Sequence, residues 1–208
     1  MNKPIKYSFW SLAILLILFL SLDIRKLDEY KAADTTVKFD AVEYARDTWN
    51  NEIPLAVKDA LEIDLLIDLL ENEPEQAFNE FGRKLGISKI WYFLTKGKGT
   101  VESVEDEFIW VNTGPRKQVK IATAFIFGNA VRDGSGVVDI DEFVNMTDFN
   151  NVSVIINDII REEVVPELKS KVQPGMNVEF AGAFEIKEDE LNTDSIRIIP
   201  VSAELSEK

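Results

Sequence analysis

The apolar residues of this chain change their period at Ser88. Before it they recur three or four residues apart, the spacing of one face of a helix. After it they alternate, or form short apolar stretches bounded by Gly and Pro. A chain patterned this way is expected to be of the α+β class, a helical segment followed by a small barrel of strands.

Three helices are expected before the change. Phe39, Val42, Ala45 (or Arg46), Trp49 and Ile53 mark the first. Pro54 suits the start of a second, whose stripe is Leu55, Leu61, Leu65, Leu66, Leu69 and Leu70. The third begins near Pro74, shows Phe78, Phe81 and Leu85 on one face, and ends on Gly86. Acidic residues outnumber basic ones across 32–87, and they read as solvated helix faces.

The strand region opens with "SKIWYFLTK", which Gly97 and Gly99 bend before "TVESVED" continues it. "EFIWVNT", a "GPRK" turn and "QVKIATAFIF" follow, the last alternating through Val119, Ile121, Thr123, Phe125 and Phe127. A helix fits residues 150–170, with Pro166 set to kink or split it. "NVEFAGAFEI" and "SIRIIPVSAEL" close the chain. A long bent strand, two strands, a helix and two strands is the order of an OB-type barrel. Residues 88–208 are therefore expected to form an OB-like domain with an insertion at 128–149, and residues 32–87 a helical segment packed on it.

Residues 1–31 read as a membrane anchor and tether. The run from Tyr7 to Leu22 carries no charge and lies between Lys6 and Asp23. At ~1.5 Å per residue it spans about 24 Å, short of the ~30 Å hydrocarbon core. Tyr7 and Trp10 at one interface, with Lys6 and Arg25 snorkelling, can make up the difference. Small residues are poorly placed for signal cleavage, so an uncleaved transmembrane helix is expected, with a partner in the membrane through 7–22. The Lys and Arg counts on its two sides do not fix an orientation.

Composition excludes several classes of function. The 208 residues hold 23 Lys+Arg against 37 Asp+Glu, a net charge of −14, which repels phosphate backbones and argues against a nucleic-acid partner. The chain has no Cys and no His, which removes disulfides, thiolate zinc sites and Ser-His-Asp triads. No cofactor and no metal site is expected. "DGSGVVDIDEF" (Asp133 to Phe143) has the later ligands of a calcium loop, but Val131 stands where the first Asp is needed. It reads as a tight Asp-Gly turn. "GKGT" at Gly97–Thr100 is too short for a phosphate loop, and "NMT" at Asn145 matches a glycosylation sequon.

An ordered set of segments carries a family resemblance: "FDAVEYARDTW", "GKGTV", "GNAVRD", "DIDEF", "GMNVEFAGAF" and "IIPVSAEL". Together they resemble the bacterial family of predicted periplasmic lipoproteins called domain of unknown function 2291. The resemblance implies an exported, membrane-attached protein with no established activity, whose genes often accompany those of sugar-type ABC importers. Two departures stand out. The lipoprotein Cys is absent, so attachment falls to residues 7–22. Thr123, Ala124, Phe127 and Asn129 stand where the family often has Gly-Pro, a basic residue and a Gly-Thr-Ala-x-Arg-Asp motif.

Asn129, Arg132 and Asp133 hold the most chemical content. An Arg fork beside a carboxylate can grip a polyol or a carboxylate, or can pin a loop as an ion pair. Two functions follow. One is a non-enzymatic accessory or binding module outside the cytoplasm, with an envelope protein or importer component as partner. The other is a carboxylate-based hydrolase of an envelope or sugar substrate.

Overall fold

A computed structural model describes residues 39–114 and 117–207. The expected anchor at 7–22 and its tether lie outside the described residues. Among the described residues no helix is long and apolar enough to cross a membrane.

Asp40 opens the first helix by accepting the N–H groups of Val42 and Glu43 on its carboxylate, at 2.9 and 3.1 Å. Helix α1 (Ala41–Asp47) runs through a π turn at Thr48–Glu52 into α2 (Ile53–Asp59). The Ile53 N–H donates to Thr48 O, five residues back, immediately before Pro54. A proline has no N–H for the carbonyl four residues behind it, and the wider turn carries the helix past that gap. Pro54 thus sits in the first turn of α2 without beginning a separate helix.

The expected second helix is broken instead at Leu61. Leu61–Glu62 form a short strand, β1, parallel to Thr95–Lys96, and the buried Thr95 hydroxyl donates to Leu61 O at 2.8 Å. Helix α3 (Ile63–Asn72) then buries Ile63, Leu66, Ile67 and Leu70, while Leu55 and Leu65 face solvent. Helix α4 (Pro74–Phe81) ends earlier than Gly86 predicts. Gly82–Arg83 form β2, antiparallel to Tyr92–Phe93. A Cβ on Gly82 would lie 2.8 Å from Phe78 O and 2.9 Å from the Trp91 ring. Glycine is required there by close approach.

Five longer strands carry the core. β3 (Ile90–Val104) pairs with β6 (Asn177–Lys187) along Ile90–Thr100, and with β4 (Phe108–Gly114) from Thr100 on. The change of partner falls beside Gly97 and Gly99, the predicted bend. A Cβ on Gly99 would stand 2.4 Å from Asn112 O. β4 pairs antiparallel with β5 (Lys117–Ala122), β5 parallel with β7 (Ile196–Ser206), and β7 antiparallel with β6. The path of pairings runs β3–β4–β5–β7–β6 and returns from β6 to β3. This is the expected strand order, with helices between the third and fourth long strands.

Inward residues of these strands, among them Phe93, Val101, Val111, Ile121, Phe180, Phe184 and Ile198, form one cluster with Ile63, Leu66, Leu70 and Phe78 of the helices. Phe93 stacks on Phe184 with ring centroids 5.2 Å apart.

Two further expectations are corrected. Strand β5 stops at Ala122, and Phe125 and Phe127 point to solvent. The insertion is not an Asp-Gly turn. Residues Ala130–Ser135 form helix α5, a 3-10 turn follows at Ile140–Glu142, and helix α6 already begins at Met146. Gly134 lies against the backbone of Phe93, where a Cβ would be 3.1 Å from its carbonyl, so this glycine lets α5 lie flat on β3. α6 (Met146–Ile159) continues through a second π turn (Ile160–Val164) into α7 (Val165–Lys171). Pro166 follows that turn as Pro54 follows the first.

Candidate functional site

Helix α5 brings the three sequence-predicted residues together on the outer side of β3. Asn129 caps the helix and gives its carbonyl to the Asp133 N–H at 2.8 Å. Arg132 is only 1% exposed. Its Nε donates to Asp133 Oδ1 at 2.7 Å and its Nη2 to Asp133 Oδ2 at 3.1 Å. Nη1 donates to Phe149 O at 3.0 Å and to Asn150 Oδ1 at 3.3 Å, and the guanidinium lies 3.6 Å from the Phe149 ring centroid. The fork therefore joins α5 to the start of α6. The contact continues outward, because Phe149 packs edge-on to Phe143, and Phe143 to Tyr44 of α1.

The Tyr44 hydroxyl donates to Glu142 Oε2 at 2.7 Å, tying α1 to the 3-10 turn. Burial and this carboxylate push the Tyr44 phenol above the ordinary tyrosine range. Tyr92 lies under α5. Burial, then the charges of Glu185 and Asp133, raise its phenol, while Arg132 and Asn129 oppose them.

A cleft of about 390 Å³ opens on the side of this cluster, with Asp133 in its wall. Arg83, Lys84 and Trp91 line one side, and Gly136, Val138 and Asp139 the other. Gly136 closes α5 in the left-handed conformation, φ 66°, and the Arg83 side chain lies across it. A Cβ on Gly136 would come within 2.0 Å of Arg83 Nε. Among the described residues the Arg83 side chain has no hydrogen bond or ion pair. Lys84 sits 4.2 Å from the Trp91 ring centroid and 3.8 Å from Glu188, while the Trp91 N–H donates to Glu188 at 3.1 Å. Phe78 packs on the same indole, centroid to centroid 5.1 Å, so Trp91 serves as a wall.

Sequence reasoning missed Arg83 and Lys84, whose position depends on α4 ending at Phe81. Of the calcium-loop residues, Asp133 is held by Arg132, Asp139 caps the 3-10 turn and Glu142 bonds Tyr44. Among the described residues no group of three or more acidic side chains is placed to hold a metal ion. Asn145 of the sequon caps α6 by accepting the Asp148 N–H.

An α+β domain with this ring of pairings and a helix between its third and fourth long strands is of the OB type. A crystal structure of an OB-fold protein from Thermotoga maritima is similar to it, with a TM-score of 0.69 and 25% sequence identity, covering 81% of this chain and 99% of that one. The sequence model of the predicted periplasmic lipoproteins called DUF2291 matches residues 12–204, and the chain belongs to that family. It lacks the cysteine that lipid attachment would use. No curated protein matches the chain.

Proposed function

We propose that this protein is a membrane-attached, extracytoplasmic binding module, a non-enzymatic accessory, and that the cleft beside Asp133 is its ligand site. The observation that carries this reading is Arg83, a guanidinium in the lining of a cleft, without a carboxylate partner among the described residues of a strongly acidic protein. A planar fork of this kind recognises a carboxylate or a pair of neighbouring hydroxyls. The ligand class proposed is a small sugar or sugar acid, and the setting proposed is that of an accessory to a sugar-type ABC importer. In this reading Asp133 stands in the cleft wall, Asn129 and Arg132 hold it there without lining the cleft, and Arg83 with Lys84 meets the solute. A carboxylate hydrolase has less support, since both oxygens of Asp133 accept hydrogen bonds from Arg132.

Attachment is proposed through residues 7–22. Full-length protein should stay with membranes through high salt and alkaline carbonate, and release by salt alone would refute it. For the site, neutral sugars and sugar acids are titrated into the full chain by calorimetry. Binding that disappears in Arg83→Ala at unchanged melting temperature supports the reading. A panel without any binder, or binding indifferent to Arg83→Ala, ends it.

A further inference from the structure

The segment after β5 holds two phenylalanines in water. Phe125 is 62% exposed and Phe127 69%, on either side of the buried Ile126. Phe125 also has φ 54°, a left-handed backbone that a bulky aromatic residue rarely adopts. The loop is nonetheless fixed. Arg197 Nη2 donates to Ala124 O at 3.2 Å and to Phe125 O at 2.7 Å. Arg161 donates to Ile126 O, and Asn157 to Gly128 O at 2.9 Å. Three side chains, two from α6 and the π turn that continues it and one from β7, thus hold a strained backbone so that two rings project outward. The backbone buries Ile126, but the two rings beside it take no part in that packing, and apolar groups held outward in this way point to an external contact.

We propose that Phe125 and Phe127 form a knob that inserts into the interface of the lipid bilayer to which the chain is attached. The inference rests on the membrane attachment proposed above. Residues 23–38 separate the apolar run from the domain, and at ~3.3–3.6 Å per residue they reach about 55 Å when extended. A tether of that reach does not by itself dictate which face meets the surface. Two rings alone give a free protein only marginal membrane affinity, as a single acyl chain does, but a tether makes the second contact effectively intramolecular. Charge is not the driver. The chain carries −14, Arg161 pairs with Asp158, and Arg197 is turned to the loop carbonyls. Zwitterionic lipid should therefore suffice, and salt should not weaken the contact.

The absence of cysteine makes the test direct. Phe127→Cys and, as a reference, the fully exposed Ile87→Cys are each labelled with an environment-sensitive fluorophore on the full-length chain. Both are reconstituted in phosphatidylcholine vesicles with and without brominated lipid. Bromolipid should quench the label at 127 several-fold more than that at 87, equally at low and high salt. A chain that floats with the vesicles while both labels remain equally open to aqueous iodide overturns the knob and leaves attachment standing. A label at 127 shielded from iodide but not quenched by bromolipid places the loop against a second copy or another surface, and also overturns it. A chain that does not float with vesicles overturns attachment and the knob together.

Discussion

Arg132 is the largest fully buried side chain among the described residues, and its charge is matched one residue away. Removing one member of a buried pair leaves the other desolvated and alone. Arg132→Ala is therefore expected to cost about 3–5 kcal/mol of stability. Arg132→Lys should recover only part of it, since an ammonium cannot reproduce the two-pronged contact with Asp133. Denaturant unfolding measures both; a loss under about 1 kcal/mol in Arg132→Ala would show that the pair does not hold α5 in place. Tyr44 gives a pH dependence. Its phenol is raised in the folded state, so folding retains a proton that the unfolded chain gives up near pH ~10. The stability from this group is complete below that pH and is lost as pH rises above it. Tyr92 shifts in the same direction. Melting followed from about pH 8 to 11 should fall less steeply in Tyr44→Phe than in the parent, and parallel curves would remove Tyr44 as a cause.

Glycines placed by close approach lie inside the strands, near the change of partner of β3 and at the register shift between β6 and β7. On Gly99 an added Cβ would meet Asn112 O at 2.4 Å, and on Gly182 it would meet Ile199 O at 2.3 Å. Both obstacles are backbone of a paired strand, which cannot step aside as a side chain can. Gly99→Ala and Gly182→Ala are each expected to destabilise by roughly 1–3 kcal/mol or more, read as a shift in denaturant midpoint. Gly86→Ala meets no atom and bears only its left-handed φ, so it should cost less than either. The bend at Gly97 and Gly99 was legible because the glycines interrupt an otherwise apolar alternation. The end of α4 was not, because Leu85 and Gly86 continue a helical pattern and the reason to stop at Phe81 is a contact with Trp91 and Phe93. The Arg132–Asp133 pair could be found as opposite charges side by side. Arg83 could not, since its place over Gly136 depends on pairing with β3 and on α5 crossing the same strand. The end of β5 at Ala122 was hidden for the same reason: Phe125 and Phe127 keep the alternation, while Arg197, Arg161 and Asn157 hold the backbone that follows.

At the scale of the molecule the helices and strands are not separable layers. Ile63, Leu66, Ile67, Leu70, Ala77 and Phe78 share one apolar cluster with the strands. The change of hydrophobic period at Ser88 divides the sequence, but it does not divide the core. A fragment of residues 88–208 should therefore lack fixed packing, seen as lost near-ultraviolet dichroism with dye-binding apolar surface. A fragment giving one sharp, cooperative melt would show that the strands hold a core by themselves.

The pairing of β3 with β6 has a consequence for time. Ile90 meets Lys187, and Thr100 meets Asn177. A chain made from its N-terminus cannot complete its longest ladder until Lys187 has been synthesised, and contacts so distant in sequence form slowly. Until then β3 leaves the edge that takes β6 unpaired, and Phe93 lacks the stacked ring of Phe184. Between the making of β3 and of β6 the chain stays threadable, and a chaperone that binds extended segments has its opportunity at Ile90–Thr100.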